Sequence, residues 1–271
     1  MLDIGSPIVA PAASWVPRPE SPQSSPQSTA GTLDFLREEA RRRLEREGDR
    51  RPAIAALVRL AHALVDAGLD DEALAASRRA RDLLQGEPTL DPVLTASTLA
   101  AVALSEWACG DSAAAAEHLD RAISLHTSAG FEVPAGWLNL CAHLALERLD
   151  LDAAERAYAE SLAIARRLLD AHGDSPQALR DLSVSLDNVG QVQQARGDLD
   201  AAERAFAESL ATRRRLVAVS RPLQQDLSDL MSTLSALANL HRERGHGDVA
   251  ASLEQERDAL KERLSHPPLS P

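Results

Sequence analysis

The chain has 271 residues, 41 acidic and 29 basic side chains, and a formal charge of -12, a balance that excludes a general binder of phosphate backbones. Hydrophobic residues make up 44% but aromatics only 3%, so a core must be built from Ala, Leu and Val at close helix spacing, with no sheet expected. Two cysteines, Cys109 and Cys141, sit in helical patterns without a Cys-x-x-Cys spacing and read as buried thiols in a reducing compartment.

From the N-terminus, residues 1–31 are rich in Pro, Ser and Gln and read as a disordered leader. Its apolar tint lacks a basic n-region and is interrupted by Pro7 and Pro11, so neither a secretory signal nor a membrane span is expected, and the cytoplasm is the default compartment. "TLDFLREEARRRLERE" then predicts a capping helix over 32–48, with Thr32 at its N-cap and Leu33, Leu36, Ala40 and Leu44 on one face. Its charge run reads as a solvated face, not a nucleic-acid contact.

An array follows over 51–264, and its signature is internal repetition. "LDAAERAYAESLA" at Leu151 returns as "LDAAERAFAESLA" at Leu199, 48 residues later. A turn followed by a small residue occurs five times, before Ala73, Ala115, Ala154, Ala202 and Ala250, at separations of 42, 39, 48 and 48. Twelve residues before each stands another small residue: Ala61, Ala103, Ala142, Gly190 and Ala238. Four residues earlier still come Leu57, Leu99, Leu138, Leu186 and Leu234, and the position just before the small residue is Leu60, Val102, Cys141, Val189 or Leu237. Positions i, i+3 and i+4 share one helix face, so each recurrence is a helical hairpin whose small residues admit a close second helix. One hairpin cannot cover its own apolar face, which requires stacking into a continuous core. Residues 265–271, with "HPPLSP", read as a second disordered tail.

These residues resemble the tetratricopeptide repeat family, in its long-period bacterial type; "LDNVGQVQQARGDLDAAERAFAESLA" carries the pattern most fully, with Leu186, Gly190, Gly197, Ala202, Phe206, Ser209 and Leu210. Ser77 and Glu254 depart from it where a large aromatic belongs, and Arg81 and Asp258 where an apolar residue belongs. The resemblance implies an all-α fold, a right-handed superhelical array of about five hairpins (an α-solenoid), with first helices lining a concave groove. It implies the ligand face as Arg59, His62 and Asp66; Leu104 and Trp107; Asn139, His143 and Glu147; Asp187, Gln191 and Gln194; and Asn239, Arg242 and Glu243. The acidic members favour a neutral-to-basic protein or peptide.

No catalytic motif, cofactor loop or metal cluster is marked. His241 and His246 in "HRERGH" straddle a turn glycine and lack the i, i+4 spacing of a helical zinc pair, so no metal is expected there. The sequence leaves three functions open: a non-enzymatic interaction scaffold; a dedicated chaperone or regulatory subunit of a bacterial secretion system or a caspase-like protease or defence complex; and an enzyme with an unmarked site.

Overall fold

The computed structural model describes residues 27–46, 48–85, 91–219 and 224–265. The expected leader and C-terminal tail lie almost wholly outside them. Among the described residues every regular element is an α-helix. They are α1 (Gln27–Leu44), α2 (Arg51–Asp66), α3 (Asp70–Leu84), α4 (Pro92–Ala108), α5 (Ser112–Ser128), α6 (Ala135–Glu147), α7 (Leu151–His172), α8 (Pro176–Arg196), α9 (Leu199–Val219), α10 (Gln224–Glu243) and α11 (Gly247–Ser265). α1 starts five residues before Thr32, which is therefore inside the helix and not its cap; Pro26 is the last residue ahead of it that a helix interior would refuse.

The helices fall into two compact units, residues 1–132 and 133–271. In the first, α1 packs on α2, and the hairpins α2–α3 and α4–α5 stack through α3 against α4 and α2 against α4. In the second, the hairpins α6–α7, α8–α9 and α10–α11 stack through α7 against α8 and α9 against α10. The longer repeat period of the second unit is taken up by longer helices: α8 and α9 have 21 residues each, against 16 and 15 in α2 and α3.

All five hairpins close in the same way. The backbone N–H just beyond each first helix donates to the carbonyl five residues back: Leu69 to Leu64, Asp111 to Glu106, Asp150 to Ala145, Asp198 to Gln193 and His246 to His241, at 2.8–2.9 Å. This is the six-to-one closure that satisfies a terminal carbonyl, and it needs a left-handed residue just before the donor. Gly197 supplies it with φ of 82°. In the third hairpin that residue is Leu149, the one positive-φ residue other than glycine among those described, at φ 59°. Three second helices are then capped by an aspartate: Asp111, Asp150 and Asp198 accept from the N–H groups of Ala114, Ala153 and Ala201.

The small residues lie in the seam between the two helices of each hairpin. Ala61, Ala103, Ala142 and Ala238 are at most 1% exposed, and Ala73, Ala115, Ala154, Ala202 and Ala250 at most 2%. Sixteen residues after each first-helix position comes its second-helix counterpart, Tyr158 for Ala142 and Phe206 for Gly190, both buried.

Candidate functional site

The residues that the resemblance implies as a ligand face stand on or just within the first helices, and the fold sorts them by environment. On α2, Arg59 is half-buried and its Nη2 donates to Glu39 of α1 at 2.7 Å, while Asp66 is exposed. His62 is buried at 6% exposure, and loss of solvent holds its imidazole down at a pKa of about 4. On α4, Leu104 is buried at 5% and Trp107 half-buried. Both helices belong to the first unit.

In the second unit, Asn139 of α6 is half-buried, and its Oδ1 is shielded from solvent without a hydrogen-bond donor among the described residues. One turn on, His143 is buried, with Nδ1 3.0 Å from the Tyr158 hydroxyl and the two rings edge to face. Burial lowers the His143 pKa to about 4 and raises that of Tyr158. The two side chains satisfy each other inside the third hairpin, so His143 is buried and not displayed on the surface that the resemblance implies.

Asp187 of α8 is likewise committed. Its Oδ2 accepts from Arg213 Nη2 of α9 at 2.7 Å and from Thr233 Oγ1 of α10 at 2.9 Å, and Arg213 also reaches Asp229 at 3.2 Å. Arg213 is buried, so this is an internal charge network binding three helices. A second ion pair, Arg180 with the buried Asp226 at 2.6 Å, adds to it. Arg213, Asp226 and Thr233 carry no signal in the sequence, because their partners lie 16 to 46 residues away with no local pattern to announce them.

What remains on the surface is a polar row. Gln191 of α8 and Asn239 of α10 are exposed and occupy the same repeat position, 48 residues apart. Gln194, one turn beyond Gln191, donates through Nε2 to Glu243, one turn beyond Asn239, at 2.9 Å. The bridge joins α8 to α10 on the face that Gln191 and Asn239 flank. Arg242 donates to Asn239 Oδ1 at 2.7 Å and pairs with Glu254 of α11.

A second feature of this unit also repeats. Arg196 pairs with Asp152 at 2.5 Å and Arg244 with Asp200 at 2.6 Å; Arg166 pairs with Glu208 at 3.0 Å and Arg214 with Glu256 at 2.6 Å. Each contact returns 48 residues later and links one hairpin to the next, fixing their register. Among the described residues no group of three or more His, Cys, Asp or Glu side chains is arranged to hold a metal ion, and no helix is long and apolar enough to cross a membrane.

Comparison with known proteins agrees with this fold. The family model described as tetratricopeptide repeat matches residues 182–220, which span most of α8 and all of α9. No curated protein matches the sequence. Among solved structures the chain is similar to BtubC (BKLC) from P. vanneervenii, at 20% identity over 92% of this chain and 96% of that one, with a TM-score of 0.69. It is also similar to a Podosopora anserina putative kinesin light chain with nearly identical TPR-like repeats, at 14% identity over 81% and 99%, TM-score 0.58. A third is NprR in complex with its cognate peptide NprX, at 13% identity over 86% of this chain and 61% of that one, TM-score 0.55. Residues 182–220 thus match a tetratricopeptide repeat, and the array of hairpins has the fold of these helical-repeat structures.

Proposed function

We propose that the chain is a non-enzymatic interaction module that holds a peptide or an extended segment of a partner protein against its first helices. The observation that carries the proposal is the exposed amide pair Gln191 and Asn239, at one repeat position on neighbouring first helices joined by the Gln194–Glu243 bridge. A primary amide offers both donor and acceptor, the complement of a peptide backbone. Asn139 Oδ1, shielded and without a donor among the described residues, is a further acceptor on the same set of helices. Leaving such a group unpaired costs about 1–3 kcal/mol, a cost that a bound backbone N–H or a bridging water removes.

Arg59 and Arg242 are held by Glu39 and Glu254, and Asp187 by Arg213. The formal charge of -12 favours a neutral-to-basic partner. In the first unit, half-buried Trp107 is proposed separately as an apolar anchor. The bound peptide in NprR, a protein of similar fold, supports peptide binding as the mode. Cys109 is exposed and Cys141 half-buried, so neither is the fully buried thiol expected; neither is in a disulfide, which accords with a reducing, cytoplasmic setting. The test is site-specific photocrosslinking in cells, with the photoreactive residue at position 191 or 239 and, as control, at exposed position 204 on α9. A discrete adduct from 191 and 239 but not from 204 supports the proposal; adducts from 204 alone refute it.

A further inference from the structure

The fifth hairpin departs from the fourth at two linked places near the turn. Gln193 in α8 donates through Nε2 to Glu155 at 2.8 Å, and 48 residues later the corresponding pair is His241 and Glu203, with Nε2 3.9 Å from the carboxylate. Asp198, the cap of α9, becomes His246. Both replacements are histidines, and they meet. The closure His246 N–H to His241 O at 2.8 Å, turned by Gly245 at φ 78°, sets the imidazoles side by side with Nδ1 atoms 3.5 Å apart.

We propose that His241 and His246 form a two-imidazole site for a borderline divalent transition-metal ion, Zn2+ or Cu2+. Two nitrogens bound at about 2.05 Å to one tetrahedral ion stand about 3.4 Å apart, close to the spacing found. The i, i+5 separation that defeats a chelate on one continuous helix is closed here by the left-handed turn. Glu203 lies on the Nε2 side of His241, where a carboxylate favours the tautomer that leaves Nδ1 free to ligate. Arg242 and Arg244, on this turn, are paired with carboxylates, Arg242 with Glu254 and Arg244 with Asp200 and Glu203. His241 is buried at 8% exposure and so held in place, while His246 is exposed, leaving an approach from solvent. With two protein ligands, water completes the coordination, and the ion staples the end of α10 to the start of α11. Imidazole is the donor that Zn2+ and Cu2+ share.

The proposal is independent of partner binding and is tested on the full chain without a histidine tag. Calorimetric titration with Zn2+ near pH 7.5 should show one equivalent bound, with a rise in melting temperature. His241→Gln and His246→Asp restore the residues of the fourth hairpin, so both should fold as the parent by circular dichroism and each lose at least tenfold in affinity. Cu2+ bound to the parent should show hyperfine coupling to two nitrogens in its electron paramagnetic resonance spectrum, and to at most one in either variant. No saturable binding by the parent, or equal binding by the parent and both variants, overturns the proposal.

Discussion

Gly190 and Phe206 compete for one space: a Cβ at position 190 would stand 2.6 Å from Phe206 Cε1, nearer than carbon atoms approach without displacement. Phe206 is 1% exposed and has nowhere to retreat. In the third hairpin the same two repeat positions hold Ala142 and Tyr158, buried in one cluster.

Gly190→Leu and Ala202→Leu should therefore overpack the fourth hairpin and cost about 1–3 kcal/mol each. Ala207→Leu, on the exposed side of α9, should be nearly neutral. Urea denaturation of the three variants checks this; equal losses at all three sites would contradict the seam.

Acid should weaken the fold through His62 and His143, whose folded pKa values are about 4 against an ordinary 6.5. Because the depressed value belongs to the folded state, the unfolded chain binds more protons between pH 6.5 and 4. Their stabilisation is full above pH 6.5 and is lost progressively as pH falls through that window. Each contributes on the order of 3 kcal/mol at most. Unfolding free energies measured from pH 7 to 4 should fall, and His62→Leu should flatten the slope.

Breaking the charge network should cost far more than breaking a surface rung. Arg213→Ala leaves Asp187 and Asp229 without their cation and should destabilise by about 3 kcal/mol. Arg166→Ala removes the exposed pair with Glu208 and should cost less than about 1 kcal/mol. Chemical denaturation in low salt distinguishes the two.

Leu149→Gly should stabilise the protein. The left-handed conformation costs a leucine about 1–2 kcal/mol, and at 76% exposure the side chain buries little to offset it. Against the extra freedom of glycine in the unfolded chain, a net gain of about 0.5–1 kcal/mol is expected, seen as a higher melting temperature. A lower one would show that the leucine makes contacts that outweigh the strain.

The hairpins were legible in the sequence because their determinants are local and periodic. Small residues at Ala61 and Ala73 or Gly190 and Ala202 mark a close helix pair twelve residues apart, and the five marks fall on five hairpins. The polar replacements Glu254 and Asp258 do not interrupt the fifth hairpin, since Glu254 finds Arg242 and Asp258 the adjacent Arg257. The ligand face was less legible. One repeat position holds His143 in the third hairpin and Gln191 in the fourth, yet His143 is drawn inward by Tyr158 while Gln191 stays in solvent, because Phe206, at the place of Tyr158, has no hydroxyl to offer. Asp187 looks like a ligand contact until Arg213 and Thr233 are placed around it, and contacts between hairpins leave no periodic trace in one helix.

The central claim, that first helices hold the partner, is tested most directly by titrating the captured partner against two double variants, with folding verified by circular dichroism. Gln191→Ala with Asn239→Ala alters the exposed amide row; Arg156→Ala with Arg204→Ala alters exposed positions on the second helices. The account predicts at least a tenfold loss of affinity for the amide variant and none for the arginine variant. Unchanged binding by the amide variant together with loss in the arginine variant would place the partner on the second helices and contradict it.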